Sequence, residues 1–279
     1  MDREKITLHG VPETMLFTLY ARALDSRSPA PVLGDTEAAA VVPRIDYDFR
    51  RAGLGPLTAT GIALRARQLD DWTREFLLTH REATVLHLAC GLDARVHRVT
   101  HLSTVRWVEV DLPEVLAIRE RLLTRPTGDY RTLAASVTDD AWLAEVPADR
   151  PTVAVFEGLT PYLPPEEGKR LVRRLVDRFP SGQLLFDVYN PVALKAARLV
   201  PALRRTGATF RWGVGDPREL EALAPGLRCL DAVRSVELPR IERLAWPARL
   251  SARAISLMPV VRDMERLLRF AFRSADRPA

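Results

Sequence analysis

Residues 84–99 read TVLHLACGLDARVHRV, and the first five decide the fold. TVLHL is a short run rich in strand formers with no polar alternation, the pattern of a strand covered on both faces. It stops on the small residues ACG and restarts as the charged LDAR. A turn like this exposes bare backbone at the carboxyl end of a strand, where ligands of open α/β sheets bind. A tight strand-to-helix connection alone would need the same residues, so the neighbouring segments have to decide.

Outward from this stretch the pattern alternates. Residues 105–110, 130–135, 152–156 and 183–188 read as further strands, and 93–101, 112–123 and 166–179 as helices. Alternation of this kind predicts a parallel sheet with right-handed crossovers. Residues 189–210 read as a helical insertion, 216–224 as a short capped helix and 227–238 as a strand. The segment 261–273, VRDMERLLRFAFR, fits a helix through Val261, Met264 and Leu268, and fits a last edge strand through LLRFAF. Upstream, residues 11–24 predict a helix. Asp35 is placed to cap a short helix over 36–42. A long helix over 57–79 carries Ile62, Leu69, Trp72, Phe76 and Leu77 on one face. The expectation is one domain: a helical lid (1–80), a cofactor-binding core (81–190) and a substrate-side insertion (189–212).

Composition narrows the function. The 279 residues carry a net charge of +5, yet only Lys5, Lys169 and Lys195 of the 41 basic residues are lysine. From Arg234 onward ten Arg face five acids, so the whole excess lies in that tail. This does not resemble a phosphate-binding stripe, and no nucleic-acid partner is expected. Packing of the basic tail on the core is favoured over stable membrane association. No apolar run is long enough to span a bilayer, and the first residues lack a signal-peptide core, which predicts a cytoplasmic protein. Cys90 and Cys229 are too few for a disulfide framework, and no metal-type spacing occurs. His97 and His101, four apart, read as a polar helix face.

Asp111 ends the second strand, in WVEVDLP, 20 residues after Gly91. A carboxylate there can accept both ribose hydroxyls of an adenosine. It can equally cap the helix that starts near Pro113. A dinucleotide turn would carry Gly-x-Gly-x-x-Gly. Here Ala89 and Ala94 occupy two of those places, whereas S-adenosylmethionine has no pyrophosphate to hold.

These residues carry a resemblance. GVPETMLFTLYARA (10–23), RIDYDF (44–49), ALRARQLDDW (63–72), ACGLDAR (89–95), WVEVDLPEV (107–115), DDAWL (139–143), FEGLTPYLPPEE (156–167) and RWGVGDPREL (211–220) resemble the leucine carboxyl methyltransferase superfamily. Within it they are most similar to the bacterial branch of TcmP-like polyketide carboxyl O-methyltransferases. The resemblance implies a Rossmann-like class I methyltransferase with a mostly parallel seven-stranded sheet and an N-terminal helical lid. It implies S-adenosyl-L-methionine as cofactor and a small-molecule natural-product acceptor. Arg65 matches the Arg that meets the cofactor carboxylate. Ala89, Cys90 and Gly91 match the glycine loop. Asp111 and Leu112 match the ribose end, Ser136 and Val137 the pair bracketing adenine, and Glu157 the acid facing the methionine portion. The chain departs from the family twice. Ala89 replaces a glycine, which requires a negative φ there. Ser136 replaces an aspartate, for which Asp139 or Asp140 is the nearby substitute.

A carboxylate acceptor is already ionised at neutral pH and needs no base. Catalysis then reduces to holding oxygen, methyl and sulfur in line, which is worth roughly 7–11 kcal/mol. Arg22 and Arg65 are the candidates to orient such a carboxylate, with Tyr20 and Tyr162 as pocket hydroxyls. A phenol or other hydroxyl acceptor would profit from a base. His9 and His87 are the histidines nearby, His87 reading better as a core residue. A cofactor-binding protein without methyl transfer is the reading from another class.

Overall fold

The computed structural model describes residues 3–6, 8, 10–199, 201–239, 241, 249–250, 253–254 and 256–273. His9 lies outside the described residues, as does much of the basic tail. A two-residue strand β1 (Glu4–Lys5) opens the chain, followed by α1 (Thr14–Ser26) and α2 (Thr36–Val41). The Asp35 carboxylate accepts the Ala38 N–H at 3.0 Å, the cap its position predicted. Strand β2 (Ile45–Asp46) pairs with β1, and α3 (Pro56–Thr79) follows. Pro56 at its first position suits a helix start, because the missing N–H would have no partner there.

The main sheet is built from β3 (Thr84–Leu88), β4 (Arg106–Asp111), β5 (Tyr130–Ala134), β6 (Thr152–Phe156), β7 (Ser181–Tyr189), β8 (Arg228–Arg234) and β9 (Glu265–Arg273). Its order is β5-β4-β3-β6-β7-β9-β8. The first five strands run parallel, and β9 pairs antiparallel with both β7 and β8. Between them lie α4 (Arg95–Arg98), α5 (Pro113–Leu122), α6 (Ala141–Ala144), α7 (Pro165–Arg178), α8 (Pro191–Ala197) and α9 (Pro201–Thr206).

Side-chain alternation assigns the two faces. Leu86, Leu88, Val108, Val110, Phe156 and Phe186 pack with Leu171, Leu175 and Phe179 of or next to α7. Val85, Trp107, Val153, Val155 and Leu185 pack with Leu69, Trp72 and Phe76 of α3. A third cluster joins Leu16, Leu19 and Ala23 of α1 to Leu92 and Ala94 of the β3–α4 turn. The N-terminal helices therefore share a core with the turn that decided the fold.

Three expectations change. The helix read over 93–101 is one turn, Arg95–Arg98. It ends as Val99 goes extended, and His97 and His101 do not share a helix face. The ambiguous 261–273 segment is a strand over Glu265–Arg273, but it is inserted between β7 and β8 and is no edge. Residues 217–223 form a 3-10 helix, capped by Asp216.

Candidate functional site

The strand order reverses between β3 and β6, because the chain crosses from β5 back past β3. Crevices open at such points, outside the carboxyl ends of the strands. A cavity of about 720 Å³ lies there, closed on one side by α1 and α3.

Its inner part is polar. The Gly91 N–H donates to Asp111 Oδ2 at 2.7 Å and the Leu112 N–H to Asp111 Oδ1 at 2.8 Å. Asp111 is thus the clasp of the turn. It does not cap α5, whose N-cap is Leu112. Burial pushes its carboxyl above the ordinary range, against those two N–H donors. Each oxygen keeps acceptor capacity beyond the bond it has. Ala89 adopts φ +49° and Gly91 φ +51°. The expectation of a negative φ at Ala89 is overturned: the turn needs the left-handed region at both positions, and alanine takes it. Cys90 lies buried between them. A Cβ on Gly91 would meet Met15 Cβ at 3.2 Å, so α1 closes directly onto the loop.

Glu157 follows β6 and is gripped from two sides. Arg65 of α3 donates through Nε to its Oε1 at 3.0 Å, and Arg95 through Nη2 to its Oε2 at 2.6 Å. Burial would raise the Glu157 carboxyl, but Arg65 and Arg95 outweigh it and hold it below the usual range. Arg65 Nη1 also donates to Glu265 Oε1 at 2.9 Å, Tyr189 Oη at 3.3 Å and Asp187 Oδ2 at 3.4 Å. Burial, then the Glu265 charge, pushes the Asp187 carboxyl up to about 6 against the pull of Arg65. Three carboxylates around one guanidinium leave an excess of negative charge, which suits a cationic ligand.

Arg22, Arg65, Ala89, Cys90, Gly91, Asp111, Leu112, Ser136, Val137, Glu157 and Tyr162 all line this cavity, and Tyr20 does not. The details differ from expectation. Ser136 Oγ is engaged with Thr138 Oγ1 at 2.8 Å and with the Thr138 N–H. Asp139 and Asp140 stand outside the lining, and Asp140 pairs with Arg170 and Arg174 instead. Arg22 donates through Nε to Asp35 at 3.1 Å and through Nη2 to the Leu92 carbonyl at 3.1 Å. Tyr20 stacks on Phe49, away from the lining. His87 reaches the lining but is buried, with Nδ1 3.3 Å from Glu109. Burial raises the Tyr162 phenol, which therefore stays protonated.

The sequence did not point to Asp187, Tyr189 and Glu265. The first two end β7 on one face, and the third faces Tyr189 across the β7–β9 pairing. Their signal was the polar residues within and at the ends of otherwise apolar strand segments. The same cavity also carries an apolar set of lining residues, among them Phe17, Leu54, Ile62, Ala196, Leu203 and Phe210.

The leucine carboxyl methyltransferase family matches residues 15–176, which takes in most of the lid, the loop and most of α7. The chain belongs to this family. It is 44% identical over 269 residues to the "Tetracenomycin polyketide synthesis O-methyltransferase TcmP" of Streptomyces glaucescens, covering 96% of this chain and 99% of that protein. It is 39% identical over 248 residues to the S-adenosyl-L-methionine-dependent methyltransferase dpfgK of Gibberella zeae, covering 82% and 83%. Among solved structures it resembles a DUF574 family protein of Streptomyces avermitilis, with TM-score 0.59 at 15% identity over 93% of this chain and 97% of that one. An S-adenosylmethionine-dependent methyltransferase of Mesorhizobium loti gives TM-score 0.51 at 17% identity, covering 73% and 97%. These likenesses extend the family's Rossmann-like fold to the whole sheet. No helix among the described residues is long and apolar enough to cross a membrane.

Proposed function

We propose that this enzyme methylates a carboxylate oxygen on an apolar, polyketide-like small molecule. It is an S-adenosylmethionine-dependent O-methyltransferase. When bound, the cofactor supplies an electrophilic methyl group on a cationic sulfonium. The donor set of the cavity fits it. Asp111 has acceptor capacity for the ribose hydroxyls, Ala89 to Gly91 offer close backbone, and Ser136 and Val137 flank the adenine position. The acid cluster of Glu157, Asp187 and Glu265 complements the cationic end. Arg65 keeps Nη2 without a hydrogen-bond partner among the described residues, and it receives the cofactor's carboxylate. Residues 1–80 act as the lid and 189–212 as the acceptor-side wall of one functional unit.

The observation that carries this reading is the continuity of a single cavity from Asp111 to Phe210. It places a polar cofactor end and an apolar acceptor end side by side. The protonated Tyr162 phenol, at their junction, is a donor for the acceptor oxygen. Glu265 is bonded to Arg65 and Tyr189, and His87 lies against Glu109, so both histidine and acid are engaged. That arrangement suits an acceptor that arrives ionised. Arg22 serves the lid, since its contacts with Asp35 and Leu92 hold α1 on the loop. The relative from Streptomyces glaucescens, named for polyketide synthesis, supports the acceptor class.

The test uses S-adenosylmethionine labelled at the methyl group with paired panels of apolar aromatic acids and phenols. A methyl ester releases volatile labelled methanol in mild base, and an aryl ether does not. Base-labile label on the acids is expected. Base-stable label on the phenols alone would overturn the carboxylate reading.

A further inference from the structure

Arg65 is one guanidinium surrounded by acceptors, and they are not equivalent. Nε is held by Glu157 at 3.0 Å. Nη1 is held by Glu265 at 2.9 Å, with Tyr189 and Asp187 at longer range. Nη2 makes no hydrogen bond among the described residues and lies 3.7 Å from the place a Cβ would take on Gly158, another residue of the cavity wall. The planar fork of Arg fixes where each N–H points once two of its nitrogens are held. Glu157 and Glu265 together therefore orient the remaining edge.

Glu265 comes from the last strand, 200 residues from Arg65. It stands directly opposite Tyr189 in the antiparallel β7–β9 register. The Tyr189 hydroxyl donates to the same Glu265 Oε1 at 2.8 Å. The Glu265 side chain is 21% exposed, and it lines the cavity. The register of β9 thus sets the position of the carboxylate that steadies Arg65.

We propose that Glu265, aided by Tyr189, is a positioning residue for cofactor binding: it holds Arg65 Nη1 so that Nη2 faces the cofactor's carboxylate. This rests on the assignment of Arg65 to that carboxylate. It adds a residue from the C-terminal strand, beyond the segment matched by the family. Glu265 acts through Arg65 and does not itself touch the reacting atoms.

The test is calorimetric binding to the full chain, with no acceptor present, of S-adenosylmethionine and of its decarboxylated analogue. Wild type binds the first more tightly. Glu265→Ala weakens S-adenosylmethionine roughly tenfold, the scale of a hydrogen bond to a charged group, and weakens the analogue, which keeps the cationic groups, by much less. Glu265→Gln, which keeps an oxygen for Nη1, restores binding to within about threefold. Tyr189→Phe, a milder change, shifts binding in the same carboxylate-dependent way. Equal weakening of both ligands, no weakening of either, or a Gln variant as poor as Ala overturns the proposal. A wild type that fails to distinguish the two ligands overturns the assignment of Arg65 itself. The thermal melt of each variant without ligand reports folding. If Glu265→Ala does not fold, Glu265→Gln and Tyr189→Phe carry the same comparison.

Discussion

Ala89 and Gly91 occupy one turn at nearly the same backbone angle, φ +49° and +51°, yet carry different side chains. Exchanging them in opposite directions tests the account of this loop. The left-handed conformation costs a residue with a Cβ about 1–2 kcal/mol. Ala89→Gly removes that cost. The freer unfolded chain offsets about 0.4–1 kcal/mol, and the half-buried methyl some part of about 0.8 kcal/mol. The balance lies between neutral and about 1 kcal/mol more stable. Gly91→Ala meets the same conformational cost and also brings its Cβ to 3.2 Å from Met15 Cβ. The stiffer unfolded chain recovers less than the two combined, so a loss of about 1–2 kcal/mol is expected. Urea midpoints of the two variants should move in opposite directions. Calorimetry with S-adenosylmethionine adds a second axis: Ala89→Gly removes a methyl from the cavity wall and leaves binding equal or tighter, whereas Gly91→Ala weakens it. An Ala89→Gly variant that loses more than about 1 kcal/mol, or a Gly91→Ala variant as stable as wild type, would refute the reasoning.

Asp111→Ala strips the acceptor from the Gly91 and Leu112 N–H groups, costs about 1–3 kcal/mol for each donor left without a partner, and weakens S-adenosylmethionine. Unchanged calorimetric affinity would remove Asp111 from the site. Asp70 is buried between Arg95 Nε at 2.7 Å and Arg98 Nε at 3.0 Å. Asp70→Ala leaves two buried guanidiniums short of a counter-charge and should cost about 3–5 kcal/mol in denaturant unfolding. A loss below about 1 kcal/mol would show that the cluster relaxes around the gap. Asp187 has a folded-state pKa of about 6, above its unfolded value. The folded chain holds that proton more tightly, so this group's contribution is present at low pH and is lost as pH rises through about 6. In Asp187→Asn that segment of the stability curve between about pH 4 and 6 should vanish, read as the difference from wild type in urea midpoints across pH. Parallel curves would refute the assignment.

What could be read from the sequence followed from local physics. TVLHL, TVAVF and the run into VEVD are short because a strand covered on both faces needs no more, and their ends fix where Asp111 and Glu157 stand. The resemblance then supplied Arg65, which the structure places among the buried residues of α3. What could not be read depends on pairing at long range. LLRFAF serves equally as an edge strand or as an internal one. Only its contact with β7 on one side and β8 on the other brings Glu265 beside Tyr189. The φ of Ala89 is likewise invisible, since alanine is the residue least diagnostic of a left-handed turn.

One signal was present in the sequence and is physical. Arg65 and Asp70 interrupt the buried stripe of α3, beside Leu64 and Leu69. Charges on a sheet-facing stripe cannot remain unpaired, because desolvation costs several kcal/mol per ion. Each therefore demands a partner from another element. The chain meets the demand in series: Arg22 to Asp35, Asp35 to Arg98, Arg98 to Asp70, Asp70 to Arg95, Arg95 to Glu157, Glu157 to Arg65, and Arg65 to Glu265. The two ends of this series lie in the lid and in the last strand, and its middle lies behind the loop that follows β3. A buried charge on an apolar helix face was thus a pointer to a partner at the strand ends. Two of the acids that answer it, Asp93 after β3 and Glu157 after β6, border the cavity. The ion pairs that make the lid's burial tolerable are for this reason the same ones that shape the cofactor end of the site.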